Sequence, residues 1–143
     1  MDTKALEQAK VIFGNRKFQE DWIKTGGKEE MVEYTDYMSK QMVDKEVTPT
    51  QIRNLYGEIK RIQMNYANNQ SSFYLLRPKV AYVVGRNCNN IGLNLFQLIF
   101  DKAYSCVRSK EEYDNFCTFY EALIAYHKYH HEINNQLKKE RRN

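Results

Sequence analysis

The 143-residue chain is a single domain by length, and seven Phe, eleven Tyr and one Trp give it enough apolar bulk for a real core. Its three cysteines (Cys88, Cys106, Cys117) are odd in number and form no C-x-x-C pair, which excludes a disulfide framework and a zinc ribbon. The net charge of +4 is concentrated in one segment: residues 48–92 hold six bases and one acid, while residues 1–47 hold eight bases and ten acids.

In chain order, the N-terminal MDTKALEQAKVIF has no long apolar core. It reads as neither signal peptide nor anchor, and the cytoplasm is the simplest compartment. The sequon Asn69-Gln70-Ser71 would then go unused. A short helix is expected over residues 3–13, a break at Gly26-Gly27, and a helix over 28–45 with Met31, Tyr34, Met38 and Met42 at spacings of three and four. Residues 1–47 thus form a helical extension, either a cap on the core or a partly mobile arm. Residues 48–143 form the bundle domain with a basic tail.

Thr48-Pro49-Thr50-Gln51 is a strong helix start, with an N-cap, a first-turn proline and a capping box. Ile52, Leu55, Tyr56, Ile59, Ile62 and Tyr66 follow on one stripe. Asn68–Ser72 reads as a loop, and Pro78 as the start of a helix to about Asn87. A further helix covers 91–107, with Leu95, Phe96, Ile99, Phe100 and Ala103 inward. Ser109-Lys110-Glu111-Glu112 is a second capping box. It opens a helix with Phe116, Tyr120, Leu123 and His127 on one side, running past His131 and fraying over Lys138–Asn143. No segment alternates with period two. The predicted class is all-α, a single compact bundle of four to five helices.

Two of these helices carry cations beside their apolar stripes. Arg53 and Lys60 share a flank with Gly57 between them, a glycine that costs about 1 kcal/mol of helix propensity and would let another backbone approach. Lys79, Tyr82 and Arg86 fall at i, i+3 and i+7. Cations interleaved with an aromatic ring suit a nucleic-acid backbone with a base or sugar nearby. Arg61 and Arg77 fall off these faces. The bland reading is a solvated edge, with Tyr82 in the core.

Other chemistry finds little support. His127 and His131 share a face with His130 adjacent, but no H-E-x-x-H, E-x-x-H or Cys pair completes a metal site. There is no glycine-rich phosphate loop, no nucleophile elbow and no carboxylate cluster. Glu121 sits in the most apolar helix and is expected to be half buried in a structural salt bridge. No enzyme activity, metal or cofactor is expected.

Three segments together resemble the small, all-helical subunit of type III-A CRISPR effector (Csm) complexes. They are T-P-T-Q-I-R at 48–53, L-R-P-K-V-A-Y-V-V-G-R at 76–86 and F-C-T-F-Y-E-A-L-I-A-Y-H-K-Y at 116–129. The resemblance covers about Thr48 to Tyr129 and leaves out residues 1–47 and the tail after His130. It implies a non-catalytic RNA-binding subunit that stacks along an inner filament and contacts the backbone of the guide RNA–target RNA duplex in antiviral defence. Its partners would be the backbone subunit, the large subunit and further copies of itself, with no membrane and no small-molecule substrate. The family's basic positions fall on Arg53, Lys79 and Arg86. Lys60 fits by geometry, Tyr82 lies on the same stripe, and Lys128 matches the Lys of the C-terminal signature. The alternative is a purely structural helical spacer whose cations pair with acids on neighbouring subunits.

Overall fold

Helices form where caps and apolar stripes specify them, and the computed structural model, which describes residues 1–142, has no strand among those residues. It contains seven α-helices rather than four to five: α1 (Lys4–Gly14), α2 (Asp21–Lys24), α3 (Glu29–Asp44), α4 (Pro49–Met64), α5 (Gln70–Arg86), α6 (Ile91–Tyr104) and α7 (Lys110–Arg142). A 3₁₀ turn, Tyr66–Asn68, joins α4 to α5. The excess lies in the N-terminal third, where α2 is a single turn, too short to show a 3.6-residue period.

Residues 1–47 share one hydrophobic cluster with the rest of the chain. Ala9, Trp22, Ile23, Met31, Tyr34, Met38 and Met42 are all buried in it. The rings of Phe18, Trp22 and Tyr34 gather on Phe119 of α7, with centroids 5.4–6.4 Å from that ring. Gly92 opens α6 directly against the α3–α4 turn. A Cβ there would lie 2.5 Å from Val47 Cγ2 and 3.0 Å from the Met42 carbonyl, so only glycine permits this approach.

The loop expected over Asn68–Ser72 and the helix start expected at Pro78 are both corrected: α5 runs unbroken from Gln70 to Arg86 with Pro78 inside it. An interior proline costs a helix about 3 kcal/mol, because it lacks the N–H and crowds the preceding turn. Phe73, Leu76, Val80 and Val84, spaced three, four and four, are buried on one side of α5 and hold the helix across that defect. Pro78 and Tyr74 stand on the exposed side. At the other end, α7 continues to Arg142 instead of fraying from Lys138, and Asn143 lies outside the described residues.

Both capping boxes form, the second with a shift. Gln51 Oε1 accepts from the Thr48 N–H at 2.9 Å. Ser109 Oγ accepts from the Glu112 N–H, but Glu112 Oε1 reaches one residue further back, to the Arg108 N–H at 2.7 Å.

The longest helix fixes α4 and the residue before its cap by three hydrogen bonds, from donors spaced seven residues apart on α7. Tyr113 Oη donates to the Ile59 carbonyl (2.7 Å), Tyr120 Oη to the Ile52 carbonyl (2.6 Å) and His127 Nε2 to the Val47 carbonyl (2.8 Å). Donor numbers rise as acceptor numbers fall, so the two helices run antiparallel. His127 is fully buried and its Nδ1 has no partner. Burial lowers its pKa to about 4, against the opposing effect of the Val47 hydrogen bond.

Candidate nucleic-acid interface

With Ile52, Leu55, Ile59 and Ile62 turned inward, α4 presents the opposite side as a ridge. Gly57 falls at its apex at 100° per residue, with Arg53, Lys60 and Met64 exposed around it. A Cβ on Gly57 would meet no atom within 4 Å, so nothing within the chain requires glycine there.

A groove of about 930 Å³ lies on the α5 side of this ridge. Leu55, Leu75, Pro78 and Val83 line it, together with Glu58, Lys79, Tyr82 and Arg86. A smaller groove of about 370 Å³ lies on the α7 side, lined by Arg53, Tyr56, Glu121, Ile124, His127 and Lys128. The predicted residues therefore divide across the ridge. Lys79, Tyr82 and Arg86 share one groove, Arg53 and Lys128 share the other, and Lys60 follows Arg53 along α4.

Their pairing separates them further. Glu58 accepts from Arg61 (2.8 Å) and from Lys79 (3.4 Å), bridging α4 and α5. The Arg61 hydrogen bonds, followed by the Lys79 charge, hold its carboxyl down at about 2 despite partial burial. Arg61 also reaches Asn69 and Ser72, and Arg77 stands 3.7 Å from Asp101, so the two cations set aside above have partners within the chain. Lys128 pairs with Glu132 at 2.9 Å. Among the described residues, Arg53, Lys60 and Arg86 have no acid within 4 Å. Two of these three lie over rings: Arg86 is 5.8 Å from the Tyr82 centroid and Lys60 is 5.9 Å from that of Tyr56.

Among the described residues, the salt bridge expected for Glu121 does not form. Its side chain is exposed at the rim of the smaller groove, because Leu123 and Tyr120 rather than Glu121 face the core. The histidines are otherwise engaged. His127 holds the Val47 carbonyl and stacks on His131, and His130 bonds the Asp36 carboxylate. Among the described residues, no three His, Cys, Asp or Glu side chains gather as metal ligands would. Sequence reasoning missed Tyr56, which stacks on Tyr120 at 6.4 Å and walls the smaller groove. The available signal was its place between Arg53 and Lys60 on the turns of one helix.

A model of the Csm2 Type III-A family matches residues 27–133. The chain belongs to that family. No curated protein and no solved structure matches the chain. Csm2 is the small subunit of the type III-A CRISPR complex, and the match takes in α3 to the middle of α7, including both grooves. It begins at Gly27, upstream of the Thr48 where the motif resemblance began, so α3 is part of the family's fold. Among the described residues, no helix is long and apolar enough to cross a membrane.

Proposed function

We propose that this Csm2 chain is a non-catalytic, cytoplasmic RNA-binding subunit that contacts the backbone of the guide RNA–target RNA duplex. It does so within a complex also holding the backbone subunit, the large subunit and further Csm2 copies. The supporting observation is the set of three unpaired cations, Arg53, Lys60 and Arg86, spread over both flanks of the α4 ridge with tyrosine rings beneath two of them. Such cations neutralise phosphates without reading bases, so binding is sequence-tolerant and salt-dependent. Lys79 and Lys128 join them once the phosphates compete with Glu58 and Glu132.

The test is the triple variant Arg53→Ala, Lys60→Ala, Arg86→Ala in complexes assembled on a guide RNA. Each lost phosphate contact lowers the salt slope of target binding by about 0.7–0.9, so the slope falls by about 2–3 while the melting temperature of the subunit stays put. An unchanged slope with unchanged target cleavage would remove RNA contact from these residues.

One observation favours the spacer reading instead: Tyr74 and Leu75 on the outer side of α5 are 60% and 54% exposed, as in a protein–protein contact. Photocrosslinking of RNA in the assembled complex separates the two. Adducts on residues 53–86 support RNA contact, and their absence supports the spacer.

A further inference from the structure

A third cleft, of about 340 Å³, lies between α3 and the loop that follows α1, and it shares no lining residue with the two grooves. Arg16 and Lys17 stand on its loop side. Glu30 and Glu33 stand on its α3 side, in a strip about 100° wide that also carries Tyr34 and Tyr37. Trp22 of α2 lines it as well. Asn15 Nδ2 donates to Tyr37 Oη at 3.5 Å, and the Arg16 guanidinium lies 4.4 Å from the Tyr37 ring centroid, so the cationic side is held against α3.

The polar groups of this cleft are left without partners. Among the described residues, none of its four charged side chains has an opposite charge within 4 Å. The Tyr34 hydroxyl makes no hydrogen bond, although the residue is only 4% exposed. A buried hydroxyl is seldom left in that state. Burial raises its pKa, so it stays protonated and able to donate.

We propose that this cleft binds a small zwitterion with an apolar body, of the size and charge of a free α-amino acid. Its ammonium meets Glu30 and Glu33, its carboxylate meets Arg16 and Lys17, and the Tyr34 hydroxyl bonds to one of its polar groups. The four charges sum to zero, so the cleft draws in neither sign by net field. A simple cation would face Arg16 and Lys17, and a simple anion would face Glu30 and Glu33. An uncharged apolar molecule would strip water from all four and return nothing. Only a ligand of both signs satisfies both sides. The volume stands at the lower end for ligand sites, which suits a small molecule rather than a protein segment, and the lining rings suit an apolar side chain. Arg16, Lys17 and Trp22 precede the family match, and this site does not rest on the RNA reading.

Trp22 is the single tryptophan of the chain, so its fluorescence reports on the cleft without a label. Titration of the full chain with L-phenylalanine or L-leucine is expected to change that emission saturably, with a dissociation constant of about 1 mM. Phenylpropionate lacks the ammonium and phenethylamine lacks the carboxylate, and each binds at least about tenfold more weakly than phenylalanine. Glu30→Gln with Glu33→Gln, and separately Arg16→Gln with Lys17→Gln, weaken phenylalanine by about tenfold. The melting temperature does not move, since all four side chains are exposed. Tyr34→Phe also weakens binding without lowering the melting temperature, because it removes a hydroxyl that has no partner in the fold. No response to either amino acid at about 10 mM overturns the proposal. So does a half-molecule that binds as tightly as phenylalanine, or binding that the Tyr34 variant or either charge variant leaves unchanged.

Discussion

The two sides of α4 are built differently. Toward α7, a buried seam of contacts carries Tyr113, Tyr120 and His127, which hydrogen-bond to carbonyls of α4 and of Val47 just before it, while the charged Arg53, Glu121 and Lys128 stand only in the groove outside. Toward α5, contact is made at the surface, where Glu58 ties Arg61 and Lys79 together above an open groove. A buried hydrogen bond left unmade costs far more than an exposed ion pair. The seam therefore supplies the positional certainty. The α5 side is left free to carry charges that a ligand can rearrange.

The largest test of this contrast is pH. His127 titrates at its ordinary value near 6.5 when unfolded and at about 4 when folded. Above 6.5 it is neutral in both states. As pH falls from 6.5 toward 4, the unfolded chain takes a proton that the folded chain refuses, and stability drops by at most about 3 kcal/mol. Urea unfolding at about pH 7.5 and about pH 5 should show the advantage of wild type over His127→Gln shrinking at the lower pH. An advantage that is the same at both pH values would take His127 out of the seam's energetics.

A smaller effect is expected from Tyr120→Phe. It removes one donor but leaves the Ile52 carbonyl its helical partner, so stability falls by about 1 kcal/mol. The salt slope of RNA binding should not move. If the slope moves and stability does not, the two sides are not divided as described.

The smallest effect on folding belongs to Glu58→Gln. Its ion pairs lie at the surface, and stability changes by less than about 1 kcal/mol. Lys79 is then free for phosphate, while Arg61 keeps Asn69 and Ser72, and target RNA binding in the assembled complex strengthens with a steeper salt slope. No gain in binding would mean that Lys79 does not reach RNA.

Much of this arrangement is legible in the sequence because it is local. The Thr48–Gln51 and Ser109–Glu112 caps, the α6 stripe and the cation spacings on α4 and α5 each depend on residues within two turns of one another. What escaped notice depends on partners far apart in the chain. Glu58 meets Lys79 across 21 residues, and no periodicity announces that it will neutralise a cation counted as free. Taken locally, Pro78 marks a helix start. The apolar series Phe73, Leu76, Val80, Val84 that overrides the rule runs straight across it. Tyr120 and His127 read only as one side of a helix, because their polar tips, like that of Tyr113, find acceptors only once α4 is alongside.

That ladder sets how α4 can fail. Donors seven residues apart return to nearly the same azimuth, drifting by only about 20° per heptad, so Tyr113 and Tyr120 address one line of α4 carbonyls, those of Ile59 and Ile52. Sliding α4 by a single residue would turn that line by about 100° and shift it about 1.5 Å, undoing both of these rungs together. No half-engaged register lies between. Substitutions in the seam will therefore change the fraction of molecules whose α4 is seated, and in every seated molecule Arg53 and Lys60 will stand at the same points.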